Sequence, residues 1–150
     1  MVKPPVEDDM YREPVYTIGH AAEKLGVAVP TLRMYEQAGL ILPHKTPTKR
    51  RLYSRHDIDY LKIIIDLIRN QGLNMEGIRR ILALTPCWKI INCPMEIREK
   101  CPSYTRGSIP CWLMTENPCG KTKDQCKTCE VYLSCPKILQ EPINMVKTCE

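Results

Sequence analysis

The chain contains no phenylalanine and only two tryptophans, Trp88 and Trp112, so any core must be assembled from Ile, Leu, Val and Tyr. A helical half built from such residues is small, and it is expected to draw stability from a second subunit or from bound DNA, which predicts a dimer. No apolar run approaches the ~18 residues of a membrane span. The opening Met1-Val2-Lys3-Pro4-Pro5, followed by Glu7-Asp8-Asp9, has no signal-peptide core, so a cytoplasmic protein with no membrane partner is expected. A nucleotide-binding glycine loop, a His-rich metal site and a nucleophile elbow are all missing, and no catalysis is implied. Two further absences divide the chain: no cysteine precedes Cys87, and no histidine follows His56.

What is present follows the same division. The composition shift at Thr85-Pro86-Cys87 predicts a flexible, Pro- and acid-rich arm over 1–14, a compact helical module over 15–85 and a Cys-rich module over 86–150. The net charge of +5 is unevenly placed, because residues 15–84 carry 11 cations against 6 anions. Within them His44 to Arg55 holds Lys45, Lys49, Arg50, Arg51 and Arg55 with no acid, a run that suits a phosphate backbone or, at its plainest, a solvated loop.

In the helical module, Thr17 is placed to cap a short helix whose Ile18, Ala21, Ala22 and Leu25 share one face, and Gly26 breaks it. A second helix is predicted from Val29 to Ala38, with Pro30 in its first turn and Gly39 as its stop. Two short helices across a tight turn make a helix-turn-helix, whose second helix would offer Thr31, Arg33 and Tyr35 to the major groove while Leu32 packs inward. Arg33 is the preferred contact, with an i+3 pair to Glu36 as its plain alternative; Tyr35 reads equally as a core residue with a wet hydroxyl. The segment from Pro43 to Tyr53 has a turn at Thr46-Pro47-Thr48 between two extended arms, the pattern of a β-wing. Ser54-Arg55-His56-Asp57 matches a capping box before Ile58, Leu61, Ile64, Ile65 and Ile68. That helix should stop at Gln71-Gly72, and Asn74 should cap a fourth, with Ile78, Ile81 and Leu82 inward and Pro86 at its end.

Tyr16-Thr17-Ile18-Gly19, Thr31-Leu32-Arg33-Met34-Tyr35-Glu36, Gly39-Leu40-Ile41 and Arg51-Leu52-Tyr53-Ser54, with Asp57 and Leu61, resemble the DNA-binding domain of MerR-family bacterial transcription regulators. Gly72-Leu73-Asn74-Met75-Glu76-Gly77-Ile78 is similar to the heat-shock-repressor and glutamine-synthetase-repressor branch. The resemblance implies a mainly α fold, a winged helix-turn-helix with a small β-wing. It also implies double-stranded promoter DNA, a homodimer and RNA polymerase as partners, and Arg33, Arg50, Arg51 and Tyr53 as DNA contacts. With the residues read above, the candidate DNA-binding set is Thr17, Thr31, Arg33, Tyr35, Lys45, Lys49, Arg50, Arg51 and Tyr53. Met34 replaces the family's usual second tyrosine, and Ala28-Val29-Pro30 lacks its usual serine cap. Family members usually continue into a long dimerising helix, whereas here Pro86 ends the fourth helix and the cysteines begin.

In a reducing compartment a cysteine cluster points to metal rather than to a disulfide framework. With no histidine nearby, the site must rest on thiolates, and Cys87, Cys93, Cys101, Cys111, Cys119, Cys126, Cys129 and Cys135 suffice for two four-thiolate sites. Only Cys126-Lys127-Thr128-Cys129 forms a tight chelating clip. The two Pro-Cys-Trp copies, at 86–88 and 110–112, suggest an internal duplication and resemble Cys-rich modules appended to bacterial sensory proteins. Zinc and an iron–sulfur cluster both fit the count, and Trp88 and Trp112 would shield the sulfurs or simply anchor the segment. Three Cys-Pro pairs permit haem ligation as a weaker third option, and unmetallated thiols acting as a disulfide switch are a fourth.

The sequence therefore predicts a dimeric MerR-like, promoter-binding regulator whose irregular Cys-rich module senses metal or redox state. The rival readings are a Cys-rich redox or electron-transfer protein, and a DNA-binding regulator whose zinc module is only structural or partner-binding.

Overall fold

Thr17 accepts the amide of His20 on its Oγ1 and opens α1 (Ile18–Leu25), and Gly26, at φ 65°, closes it. After the turn, α2 (Val29–Gln37) starts from an extended Ala28 with no side-chain cap and with Pro30 in its first turn, where the missing N–H costs nothing. A computed structural model describes residues 10–105, 110–114, 119 and 122–140 of the protein. The wing forms as the sequence predicts, with β2 (His44–Lys45) antiparallel to β3 (Arg51–Tyr53). A strand the sequence did not announce, β1 (Tyr16–Thr17), pairs with the other edge of β3 in the register Tyr16–Tyr53, giving the sheet order β1-β3-β2.

The capping box is complete: Ser54 Oγ accepts from the Asp57 amide at 3.1 Å and Asp57 Oδ2 from the Ser54 amide at 2.8 Å, launching α3 (Arg55–Arg69). Its apolar face buries Ile58, Leu61, Ile64 and Ile65 as read from the spacing, and Tyr60 and Leu67 besides. Asn74 caps α4 (Met75–Ala83) through the Gly77 amide.

From Cys87 onward the chain is a string of short helices in irregular connections: α5 (Cys87–Ile90), α6 (Met95–Arg98), α7 (Pro102–Thr105), a 3-10 turn at Cys111–Leu113, α8 (Lys123–Lys127), α9 (Glu130–Leu133) and α10 (Cys135–Gln140). These do not form a lobe of their own. Helix α10 packs against both α3 and α4, and Trp112, Val131, Tyr132, Cys135 and Leu139 join Leu32, Leu40, Tyr60 and Leu61 in one continuous core. The physical reason is the shortage of large side chains noted above. The helical module buries its faces against the annex rather than standing alone.

The flexible arm is corrected in part. Residues 1–9 lie outside the described segment, but Tyr11 donates to Asp59 at 2.8 Å and meets the His56 ring edge-on at 5.7 Å, so the stretch from residue 10 is seated on α3. The ninth cysteine, Cys149, also lies outside the described residues.

Ser54 is buried and its hydroxyl satisfies a helix amide, so Ser54→Ala is expected to cost about 1–2 kcal/mol. A lowered urea midpoint at unchanged slope would register it; no shift would show that Asp57 alone holds the helix start.

Candidate nucleic-acid interface and thiol-lined cavity

Helix α2 turns Arg33 and Met34 outward and Leu32 and Tyr35 inward. Tyr35 is only 6% exposed and Tyr53 is fully buried, so neither of these two expected contacts is presented at the surface. Strand β1 lies along one edge of β3, and the Tyr53 ring is buried in the core with its hydroxyl left without a hydrogen-bond partner among the described residues. Thr31 is half-buried, and the Thr17 hydroxyl is exposed but already occupied as the α1 cap.

Glu36, the plain alternative partner for Arg33 at i+3, faces the wing instead. It takes the Arg51 Nε in a short ion pair and the Lys45 ammonium at 3.3 Å. The recognition helix and the wing are thereby tied into one rigid basic surface. Arg33, Lys49 and Arg50 are exposed and carry no ion pair among the described residues, which leaves them for phosphates or base edges. Lys49 sits at φ 62°, a left-handed position at the wing turn where glycine or asparagine is the usual occupant. Its backbone is fixed by Lys49 N to Thr46 O at 2.8 Å and Thr46 N to Arg50 O at 2.9 Å, so the tip of the wing presents a cation at some conformational cost.

The cysteines are gathered rather than scattered. Cys87, Cys93, Cys101, Cys111, Cys119, Cys126 and Cys129 line one cavity of about 30 Å3, together with Trp88, Trp112, Tyr104 and Arg98. This differs from the expectation of two separate four-thiolate sites. Cys135 is corrected out of the set: it is fully buried but does not line the cavity, its Sγ donating to Val131 O at 3.7 Å beside Tyr60. Cys87, Cys93, Cys101, Cys111 and Cys135 take part in no disulfide. Burial pushes the Cys111 thiol up to about 12, with the neighbouring Cys87, Cys126 and Cys129 adding to the rise, and it raises Cys87 for the same reason. Without a cation these sulfurs stay protonated at neutral pH.

The cavity wall also touches the reader. Trp112 Nε1 donates to Gly39 O at 2.7 Å, and the hydroxyl of Tyr132 accepts from the Leu42 amide at 2.8 Å. Trp112 and Tyr132 meet edge-to-face at 5.3 Å, and Tyr60 backs Tyr132 at 6.1 Å. Gly39, at φ 76°, could carry no side chain here, since a Cβ would collide with Leu113. Lys127, inside the Cys126–Cys129 clip, lies 3.4 Å from Asp57, the capping carboxylate of α3. The annex thus grips the loop that joins recognition helix to wing and the start of α3. Spacing alone did not reveal these contacts; the repeated Pro-Cys-Trp motif marked Trp112, but as a shield for sulfur.

Residues 16–85 match the model described as MerR HTH family regulatory protein. This segment is a MerR-type helix-turn-helix domain. It is similar to a putative heat shock protein HspR of Streptomyces coelicolor, 41% identical over 71 residues covering 47% of each chain. It is also similar to the HTH-type transcriptional regulator GlnR of Bacillus anthracis, 35% identical over 79 residues, 53% of this chain and 60% of that protein. The HTH-type transcriptional regulator HmrR of Rhizobium leguminosarum is 36% identical over 67 residues, 45% of this chain and 51% of its own. The chain spans about half the length of the curated relatives it matches, and the MerR match ends before Cys87. Among the described residues no helix is long and apolar enough to cross a membrane.

Burial, followed by the Glu36 charge, pushes the Tyr53 phenol up to about 12, and burial raises Tyr60 and Tyr132 well above the ordinary value. An acid whose folded pKa is raised favours folding fully below its unfolded value and loses that contribution as pH climbs. Stability should therefore fall as pH rises above about 10, and Tyr53→Phe should soften the decline. Denaturation midpoints across that range, with the phenolate absorbance followed in parallel, check this; a decline as steep in the variant as in the parent protein would remove Tyr53 from the account.

Proposed function

We propose that the protein is a sequence-specific, dimeric transcription regulator of the MerR type that binds double-stranded promoter DNA, and that its thiol-lined annex reports metal or redox state to the DNA-reading surface. The observation that carries this reading is the seat of Trp112 and Tyr132 on the Gly39–Leu42 loop, between recognition helix and wing. Trp112 follows Cys111 directly, so a change in what the thiolates hold moves the indole. The indole in turn fixes the carbonyl of Gly39, in the loop just after α2.

The reader contributes the surface tied together by Glu36, with Arg33 toward the bases and Lys49 and Arg50 toward the backbone. Neutralising phosphates releases counterions, so each phosphate contact adds about one unit to the slope of log affinity against log salt. Arg50→Ala is expected to weaken binding to all duplexes and flatten that slope by about one unit, whereas Arg33→Ala should also change base preference. Fluorescence-anisotropy titrations at several salt concentrations distinguish the two. Unchanged affinity and slope in both variants would remove this face from the DNA interface.

For sensing, metal-loaded, chelated and oxidised protein are titrated with the same operator duplex at one salt concentration. Loaded and chelated forms should differ by roughly 5–150-fold, the ordinary range of such coupling. Trp112→Phe keeps the ring and deletes the donor, and should bring the forms together. Equal affinity of all forms in the parent protein would make the annex a structural module only.

A further inference from the structure

Helix α2 presents an apolar side chain that the fold itself leaves uncovered. Leu32 and Tyr35 bury one side of the helix. By helical spacing Pro30, Arg33, Met34 and Gln37, at i, i+3, i+4 and i+7, form the stripe on the opposite side, and all four are exposed. Glu36 lies off that stripe and is spent on the wing, where it holds Arg51 and Lys45 and so fixes how the stripe is presented beside the wing. Of the four, Met34 is the one long apolar side chain, and it is 45% exposed. The other large apolar side chains exposed among the described residues, such as Met10, Val15, Leu84 and Met95, belong to the segment before β1, the end of α4 and the annex, so none shares α2 with Met34.

In a helix-turn-helix the second helix lies in the major groove with exposed residues against the base edges. The nonpolar group that marks a base there is the 5-methyl of thymine; the other marks are hydrogen-bond donors and acceptors. Arg33 and Gln37 can answer donors and acceptors, whereas a thioether offers only a weak acceptor. Against a phosphate or a polar base edge Met34 would displace water and return almost no hydrogen bonding. Against a methyl it loses nothing, and its three rotatable bonds let it settle there without a fixed backbone distance.

We propose that Met34 is a specificity-determining residue that selects thymine at one position of each half-site by packing on its 5-methyl group. The contact is van der Waals only, so it adds base preference without adding a phosphate contact or a salt dependence. This assignment rests on the reading of α2 as the DNA-reading helix and names a base it takes.

The test uses full-length protein and a duplex enriched by it from a random-sequence pool. Each thymine is replaced in turn by deoxyuridine, in both half-sites of a palindrome, which deletes the methyl and keeps every donor and acceptor. At one position the replacement should cost the parent protein about fourfold in affinity per half-site, the worth of one buried methyl. Met34→Ala should bind the thymine duplex more weakly at unchanged salt slope and should no longer respond to deoxyuridine at that position, whereas Met34→Leu should keep the response. Because Met34 is exposed, helical circular dichroism should be the same in all three proteins. A Met34→Ala variant that keeps the full response overturns the proposal. An enriched duplex in which no thymine methyl is sensed overturns this assignment alone, whereas failure to enrich any sequence overturns the DNA-reading role and the assignment with it.

Discussion

The hydrogen bond from the Trp112 indole to the Gly39 carbonyl is the joint on which the two halves depend. Carbonyls at the end of α2 are met by the backbone, Met34 O by Ala38 N, Tyr35 O by Leu40 N and Glu36 O by Gly39 N. The Gly39 carbonyl, in the loop just beyond, is taken instead by a side chain 73 positions away, whose indole is only 2% exposed. Losing the donor while keeping the burial would strand the carbonyl, which is worse than never having made the bond. The arrangement therefore admits few intermediate positions of the indole.

The thiol cavity works under the opposite constraint. The Cys87 and Cys111 sulfurs stand beside other cysteines in apolar surroundings, and burial followed by mutual repulsion disfavours their charged form. A thiophilic centre would reverse that balance by supplying positive charge, and its affinity would then be coupled to proton release. Residues that line the cavity and residues that hold the helical module are neighbours in the chain: Cys111 with Trp112, and Cys126 and Cys129 around Lys127.

The helical module was legible because its signals are local. The Ser54–Asp57 capping box, the Asn74 cap, the glycines at 26 and 39 and the spacing of Ile58, Leu61 and Ile64 each lie within one or two turns of what they specify. What spacing did not show was what covers what. Tyr53 has the look of a wing-end contact, and it lies fully buried in the continuous core. Cys135 shares the spacing of its fellows, but the turn of α10 points it at Tyr60 rather than at the cavity. Lys127 to Asp57 spans 70 residues and Tyr132 to Leu42 spans 90, and no periodicity encodes such contacts.

Those long spans set an order in time. During synthesis the N-terminal elements emerge first, so α1 to α4 are complete while the chain that will cover Gly39, Leu42 and Tyr60 is still inside the ribosome. Until Trp112 and Tyr132 arrive, this face of the nascent protein is an apolar surface with an open carbonyl at its rim, in the form most exposed to chaperones and proteases. The annex is made after the face it covers, so each molecule passes through a stage in which that face is open.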